Sequence, residues 1–273
     1  MALTPYTCAN CGFWQRWFEV PPSCPVCTDV RNNLPEDGWD FVRPAGMLER
    51  VRCSWHDHGD GLVEFRTSPR FGLDSVGWLL QRPDGNIAFE AAGWYDEAAL
   101  AEIERLGGIA VAAASHPHAY GALWLLQNRF GADVAITRAD HGWTKAFRVT
   151  RPYDDTHELA PGLTLHRTGG HFDGHAVLFD EGRRTLFSGD AVKFDARSDG
   201  RAFAVSCHKA WHQATPLTHG ELRRYRDVLA PLEFDTVCSP FALARGATTS
   251  AVVALLDAQQ DGQPTVEPME VSG

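Results

Sequence analysis

Apolar positions recur along the chain with two periods, and the change from one to the other marks the elements. Short apolar or alternating runs predict strands over 48–55, 62–67, 76–81 and 87–91, the last entered through the turn residues Pro83-Asp84-Gly85-Asn86. A helical period follows over 96–106: Leu100, Ile103 and Leu106 share a face, Asp96 stands at the cap position and Gly107-Gly108 at the stop. The apolar run 108–114 predicts a buried strand, 119–130 a helix and 132–137 a strand. A short helix is expected over 138–146 and a loop over 151–155, after which 157–190 is mostly strand. Helices over 216–229 and 248–260 enclose a last core strand at 234–238. The tail from 261, rich in Gly, Pro and Glu, has little to bury and is expected to be disordered. No internal repeat is evident.

Polar residues collect where three of these strands end. The first group is Ser115-His116-Pro117-His118-Ala119-Tyr120-Gly121, the second Gly169-Gly170-His171-Phe172-Asp173-Gly174-His175, and the third Ser188-Gly189-Asp190. Two imidazoles spaced His-x-His in extended backbone can point to the same side and bind one metal ion. Turns after strands are also where α/β folds collect their chemistry.

In this order the three groups resemble the motifs of the metallo-β-lactamase-fold hydrolase superfamily, over about residues 47–260. The resemblance implies a four-layer αββα sandwich of α/β class. It implies metal ligation by His116, His118 and His171, with Asp190 as a further ligand or as the base that deprotonates a water. Tyr120 stands where the family's leading motif has an aspartate, and Gly121 where it has a third histidine. The stretch 235–241, after the last core strand, has no histidine where the family places its final ligand. One metal ion, zinc or iron(II), is therefore expected rather than two. Tyr120 is expected to donate a hydrogen bond to a developing oxyanion.

Four of the seven cysteines fall within the first 27 residues, as Cys8-Ala9-Asn10-Cys11 and Cys24-Pro25-Val26-Cys27. Each pair can form a knuckle, and two knuckles supply a closed four-thiolate site. The segment is too short for a core of its own, so metal binding would supply its folding free energy. It resembles zinc ribbons, which implies structural zinc. Phe13, Trp14, Trp17 and Phe18 are candidates to pack beneath the ion or onto the main domain. Residues 1–46 are thus expected to form a ribbon and polar linker, 47–260 the main domain and 261–273 the tail. Other histidines and cysteines invite interpretation. His56 and His58 repeat the His-x-His spacing in a polar stretch and are expected to be solvated. His175 is expected to support the site rather than ligate. His208, His212 and Cys238 are further candidates to complete the site.

A formal net charge of −10 with scattered arginines excludes the concentrated basic surface that a nucleic-acid partner requires. No apolar run reaches the roughly 20 residues of a bilayer span, and no segment reads as a secretory signal. A cytoplasmic protein with reduced cysteines is expected. The favoured activity is metal-dependent hydrolysis of a small-molecule ester, thioester, lactone or amide. One alternative is a non-haem iron oxygenase of the persulfide-dioxygenase type, with His116, His171 and Asp190 as a facial triad. Another is a degenerate metal-binding protein whose ribbon engages a protein partner or a second copy.

Overall fold

The computed structural model describes residues 3–271. Its chain divides into two compact units. The first takes in residues up to Asp29, Asn33–Ile136 and Asp140–Pro152; the second holds Val30–Asn32, Thr137–Ala139 and Tyr153 onward.

The first unit begins with β1 (Thr4–Cys8), β2 (Trp14–Trp17) and β3 (Phe41–Val42), an antiparallel sheet in the order β2-β1-β3. The end of the expected linker thus supplies a strand. Trp14 ties this small sheet down: it is buried, its indole N–H donates to Gly93 O at 3.0 Å, and its ring stacks on Trp94 with centroids 5.8 Å apart. Phe13 is buried with it, whereas Trp17 and Phe18 face solvent.

Helix α1 (Pro44–Arg50) precedes β4 (Arg52–Asp57), β5 (Leu62–Ser68), β6 (Gly77–Leu80) and β7 (Ile87–Phe89). The strand expected from residue 48 therefore starts later, because Pro44 opens a helix: its fixed φ and missing N–H suit a first turn. Next come α2 (Glu97–Arg105), β8 (Val111–Ala113), a 3-10 turn over Pro117–Ala119, α3 (Leu123–Phe130) and β9 (Asp133–Thr137). The helix expected over 119–130 thus begins only at Leu123. Asp96 caps α2 by accepting from Ala99 N at 3.1 Å. The short helix expected over 138–146 is a 3-10 turn, Arg138–Trp143, and the expected loop after it contains β10 (Arg151–Tyr153). Pro152 is tolerated there because β10 is the outermost strand of the seven-stranded sheet β10-β9-β8-β7-β6-β5-β4. Strands β4 to β7 run antiparallel, but β7, β8 and β9 are parallel and joined through α2 and α3. The first histidine motif leaves the carboxyl end of β8.

The second unit contains β11 (Thr156–Ala160), β12 (Leu163–Arg167), β13 (Ala176–Asp180), β14 (Thr185–Phe187), β15 (Lys193–Ala196) and β16 (Ala202–Ser206). They are followed by α4 (His219–Leu229), β17 (Thr236–Cys238), β18 (Leu243–Arg245), α5 (Thr249–Asp261) and β19 (Met269–Glu270). Two sheets result, β11-β12-β13-β14-β17-β18 and β15-β16-β19. Tyr225, Leu222 and Leu229 of α4 and Val252, Leu255 and Leu256 of α5 form its core. At roughly 1.5–3 kcal/mol for each fully buried large apolar side chain, these helix faces hold the unit together. Thr218 and Glu221 form a capping box at the start of α4. The tail expected to be disordered gives up two residues to β19, which satisfies an open edge of β16 while Met269 and Val271 pack on the core. Its last two residues lie outside the described ones. Among the described residues, no helix is long and apolar enough to cross a membrane.

Candidate metal centre

His116 stands three residues past the end of β8, immediately before the 3-10 turn that carries His118. The imidazole of His116 is buried, and its Nδ1 lies 2.6 Å from Ser115 Oγ, which donates to Glu90 Oε1 at 2.5 Å. Because the serine proton is committed to the carboxylate, Nδ1 of His116 carries its own proton and Nε2 presents a lone pair. Glu90 is itself buried, has φ +62, and also accepts from Ser115 N at 3.3 Å. A carboxylate behind a ligand histidine fixes its tautomer and raises its basicity.

His171 is fixed by the same logic. Its Nδ1 lies 2.7 Å from Lys209 O, a group that only accepts, so Nε2 is left to ligate. Lys209 is held by a 2.7 Å ion pair with Glu221, the carboxylate of the α4 capping box. Tyr225 braces the loop from below, donating to Gly169 O at 3.1 Å, and burial pushes its phenol pKa well up, so it stays a neutral donor. Gly170 is obligatory: at φ +77 a Cβ there would sit 2.6 Å from the Tyr225 ring. Arg31, within the expected linker, donates to His171 O at 2.8 Å and lies 3.9 Å over the Phe172 ring. His175 accepts from Asp190 N at 3.0 Å through Nε2 and meets Thr168 Oγ1 at 2.8 Å through Nδ1. With both nitrogens so used, it positions Asp190 rather than ligating.

His116, His118, His171 and Asp190 each offer one ligand atom, and these atoms all lie within 4.8 Å of one another. His171 Nε2 and Asp190 Oδ2 are 3.6 Å apart. A tetrahedron with bonds of about 2.1 Å has edges of about 3.4 Å, so atoms this close fit one divalent ion, with the three imidazoles as ligands and Asp190 either completing the set or standing beside an open fourth position. His208, His212 and Cys238 are not in the cluster. His208 is buried with its ring edge-on to His171 at 6.0 Å, His212 is exposed, and Cys238 is buried in β17. His58 pairs with Glu64 at 2.9 Å, away from any such cluster.

The two positions that depart from the family's leading motif have different surroundings. Tyr120 is buried, its ring edge-on to Phe147 at 5.3 Å. Gly121 has φ +41, and a Cβ built on it would meet Ala91 O at 2.1 Å and Ala92 O at 2.5 Å. No side chain, and so no ligand, fits this backbone.

The second cluster joins Cys8, Cys11, Cys24 and Cys27, whose sulfurs also lie within 4.8 Å of one another. The Cys8–Cys27 and Cys11–Cys24 sulfur separations are 3.7 and 3.6 Å. A tetrahedron with metal–sulfur bonds of about 2.3 Å has edges of about 3.8 Å, so this set too fits one ion. Hydrogen bonds from Cys11 and then Cys24 pull the Cys8 and Cys27 thiols down, while burial pushes Cys11 up. A bound cation is what would let all four ionise together. Gly12, at φ +81, makes the turn of the first knuckle and donates to Cys8 O at 2.8 Å.

The family model described as the metallo-beta-lactamase superfamily matches residues 78–238. The protein YmaE of Bacillus subtilis (strain 168), described as uncharacterized, is 29% identical over 254 residues, covering 87% of this chain and 88% of its own. Among solved structures, VMB-1 superposes with a TM-score of 0.56 at 13% identity, over 76% of this chain and 97% of that one. The metallo-beta-lactamase FIM-1 from Pseudomonas aeruginosa, in its mono-zinc form, gives 0.55 at 11% identity over 78% and 98%. These likenesses establish the mixed α/β fold.

Proposed function

Because the chain belongs to the metallo-β-lactamase superfamily, we propose that it is a hydrolase using one zinc ion, held by His116, His118 and His171, to cleave a small-molecule ester, thioester, lactone or amide. The observation that carries this reading is the ligand cluster itself, with His118 in it on the same terms as His116 and His171. Held by these residues, a zinc ion would act as a Lewis acid and would lower the pKa of a bound water towards about 7. The protein's own part is to hold His116 and His171 in one tautomer, through Ser115–Glu90 and Lys209 O, and to fix Asp190 through His175. Asp190 Oδ2 then takes the proton of the attacking water and returns it to the leaving group. We assign the Tyr120 hydroxyl to the reacting oxygen of the substrate. A second zinc has no place in this reading, since Gly121 cannot carry a side chain and Cys238 stands outside the cluster. The four-cysteine ion is structural, a closed set with no open position.

The test is a hydrolysis screen over the four carbonyl classes with protein of known metal content. Turnover that tracks zinc in the histidine site supports the proposal, and turnover unaffected by stripping that zinc refutes it. Tyr120→Phe should slow turnover with metal content unchanged; full activity would confine Tyr120 to packing.

A further inference from the structure

The first unit contains a cleft of about 710 Å³ that the proposed reaction does not use. Its size falls in the range of small-molecule sites, about 300–1,000 Å³. Arg16, Lys145 and Arg148 line it, with Asn128 and a single carboxylate, Asp133. Asp133 is already spent: it is bound by Arg151 at 2.6 Å and by Thr150 Oγ1 at 2.9 Å, and Arg151 first, then Thr150, hold its pKa below the usual range. The three cationic groups have no such compensation. Among the described residues, the side chains of Lys145, Arg148 and Asn128 make no hydrogen bond or ion pair, and Arg16 uses only Nε, donating to Ala146 O at 2.8 Å. In a chain of net charge −10, three uncompensated cations around one cleft call for an anion.

The Arg16 side chain and the backbone that carries the other two donors are also held in place. The Arg16 guanidinium lies 5.9 Å over the Trp124 ring, and its backbone N–H donates to Lys145 O at 3.1 Å. Gln127 clamps the Arg148 backbone from both sides, donating to its carbonyl at 2.8 Å and accepting from its N–H at 3.0 Å. Two guanidiniums and an ammonium around one cleft suit the oxygens of a phosphate group. A smaller cavity of about 260 Å³ shares Arg16 and Lys145 and adds the apolar surfaces of Trp17, Pro22 and Pro25. We propose that this cleft binds a small phosphorylated molecule, its phosphate among Arg16, Lys145 and Arg148 and its apolar part against Trp17, Pro22 and Pro25.

Isothermal titration of the metal-loaded full chain with phenylphosphonate, a non-hydrolysable phosphate mimic with an aromatic ring, tests this. Saturable binding is expected, tighter than for inorganic phosphate. The double variant Lys145→Ala/Arg148→Ala should weaken it about tenfold or more, while His118→Ala, altered in the histidine cluster, should bind as the parent does. Absence of saturable binding would overturn the proposal. So would affinity lost in His118→Ala but kept in the double variant, which would place the phosphonate at the histidine metal site.

Discussion

Replacing Gly121 by alanine isolates the physical reason that the leading motif ends without a ligand. The methyl group would stand 2.1 Å from Ala91 O and 2.5 Å from Ala92 O, against a normal closest approach above 3 Å. The backbone at φ +41 adds about 1 kcal/mol of strain for any L side chain. Relieving the overlap means moving the 91–92 segment, which is bonded to this turn through Ala91 N to Ala119 O at 3.1 Å and Ala122 N to Ala92 O at 2.9 Å. Those bonds contribute about 1 kcal/mol each, and forced overpacking typically costs 1–3 kcal/mol. The expected loss is about 4–6 kcal/mol, which at roughly 2–4 °C per kcal/mol lowers Tm by about 8–24 °C. Gly131→Ala is the control, since Gly131 has φ +65 but a Cβ placed on it would meet nothing within 4 Å. It should lose only the strain, about 1 kcal/mol and 2–4 °C. Scanning calorimetry of both variants decides the matter. Equal losses in the two would show that the Ala91–Ala92 contact does not bar a side chain. A Gly121→His variant that melts like the parent and binds an extra ion would refute the argument outright.

Other outcomes follow from the same geometry. Glu90→Gln and Ser115→Ala, neither a ligand, should each weaken metal binding by the histidine site about 10- to 100-fold in chelator competition; unchanged affinity would reduce them to packing residues. Asp190→Asn should keep its metal and slow turnover by about 10²- to 10⁴-fold, whereas His118→Ala should lose metal. The opposite pattern would favour an iron triad of His116, His171 and Asp190. Chelation should expose the Cys8, Cys11, Cys24 and Cys27 thiols to a thiol reagent in the folded chain, while Cys207, its pKa pushed up to about 12 by burial, stays unreactive. Rapid reaction of all four before chelation would show that they hold no ion.

Much of the candidate site was legible because the residues that cluster there are local in sequence. His-x-His after an apolar run, Gly-Gly-His and Ser-Gly-Asp each sit on one turn, and turn residues announce themselves. The same holds for the two Cys-x-x-Cys knuckles and for helices with caps such as Asp96. What supports those ligands was not legible, because it is distant along the chain. Glu90 lies 25 residues before Ser115 and reads as the polar end of a strand; an acid closing an apolar run was the only available signal. Arg31 reads as linker, and Lys209 acts through its carbonyl, which no side-chain pattern reveals. The missed strands have the same explanation. β15 and β16 alternate weakly, β18 has three residues, and β19 exists because β16 offers an edge. Pro44 opens a helix and Pro152 lies in an outer strand, so a proline in a polar stretch does not by itself mark a loop.

The central claim, one ion in the histidine cluster and one among the cysteines, is tested most directly by counting metals. Elemental analysis of protein purified without added metal should give two equivalents per chain. One should be lost in Cys8→Ser/Cys11→Ser, and the other in His116→Ala. Three equivalents, two of which disappear together in His116→Ala, would contradict the account.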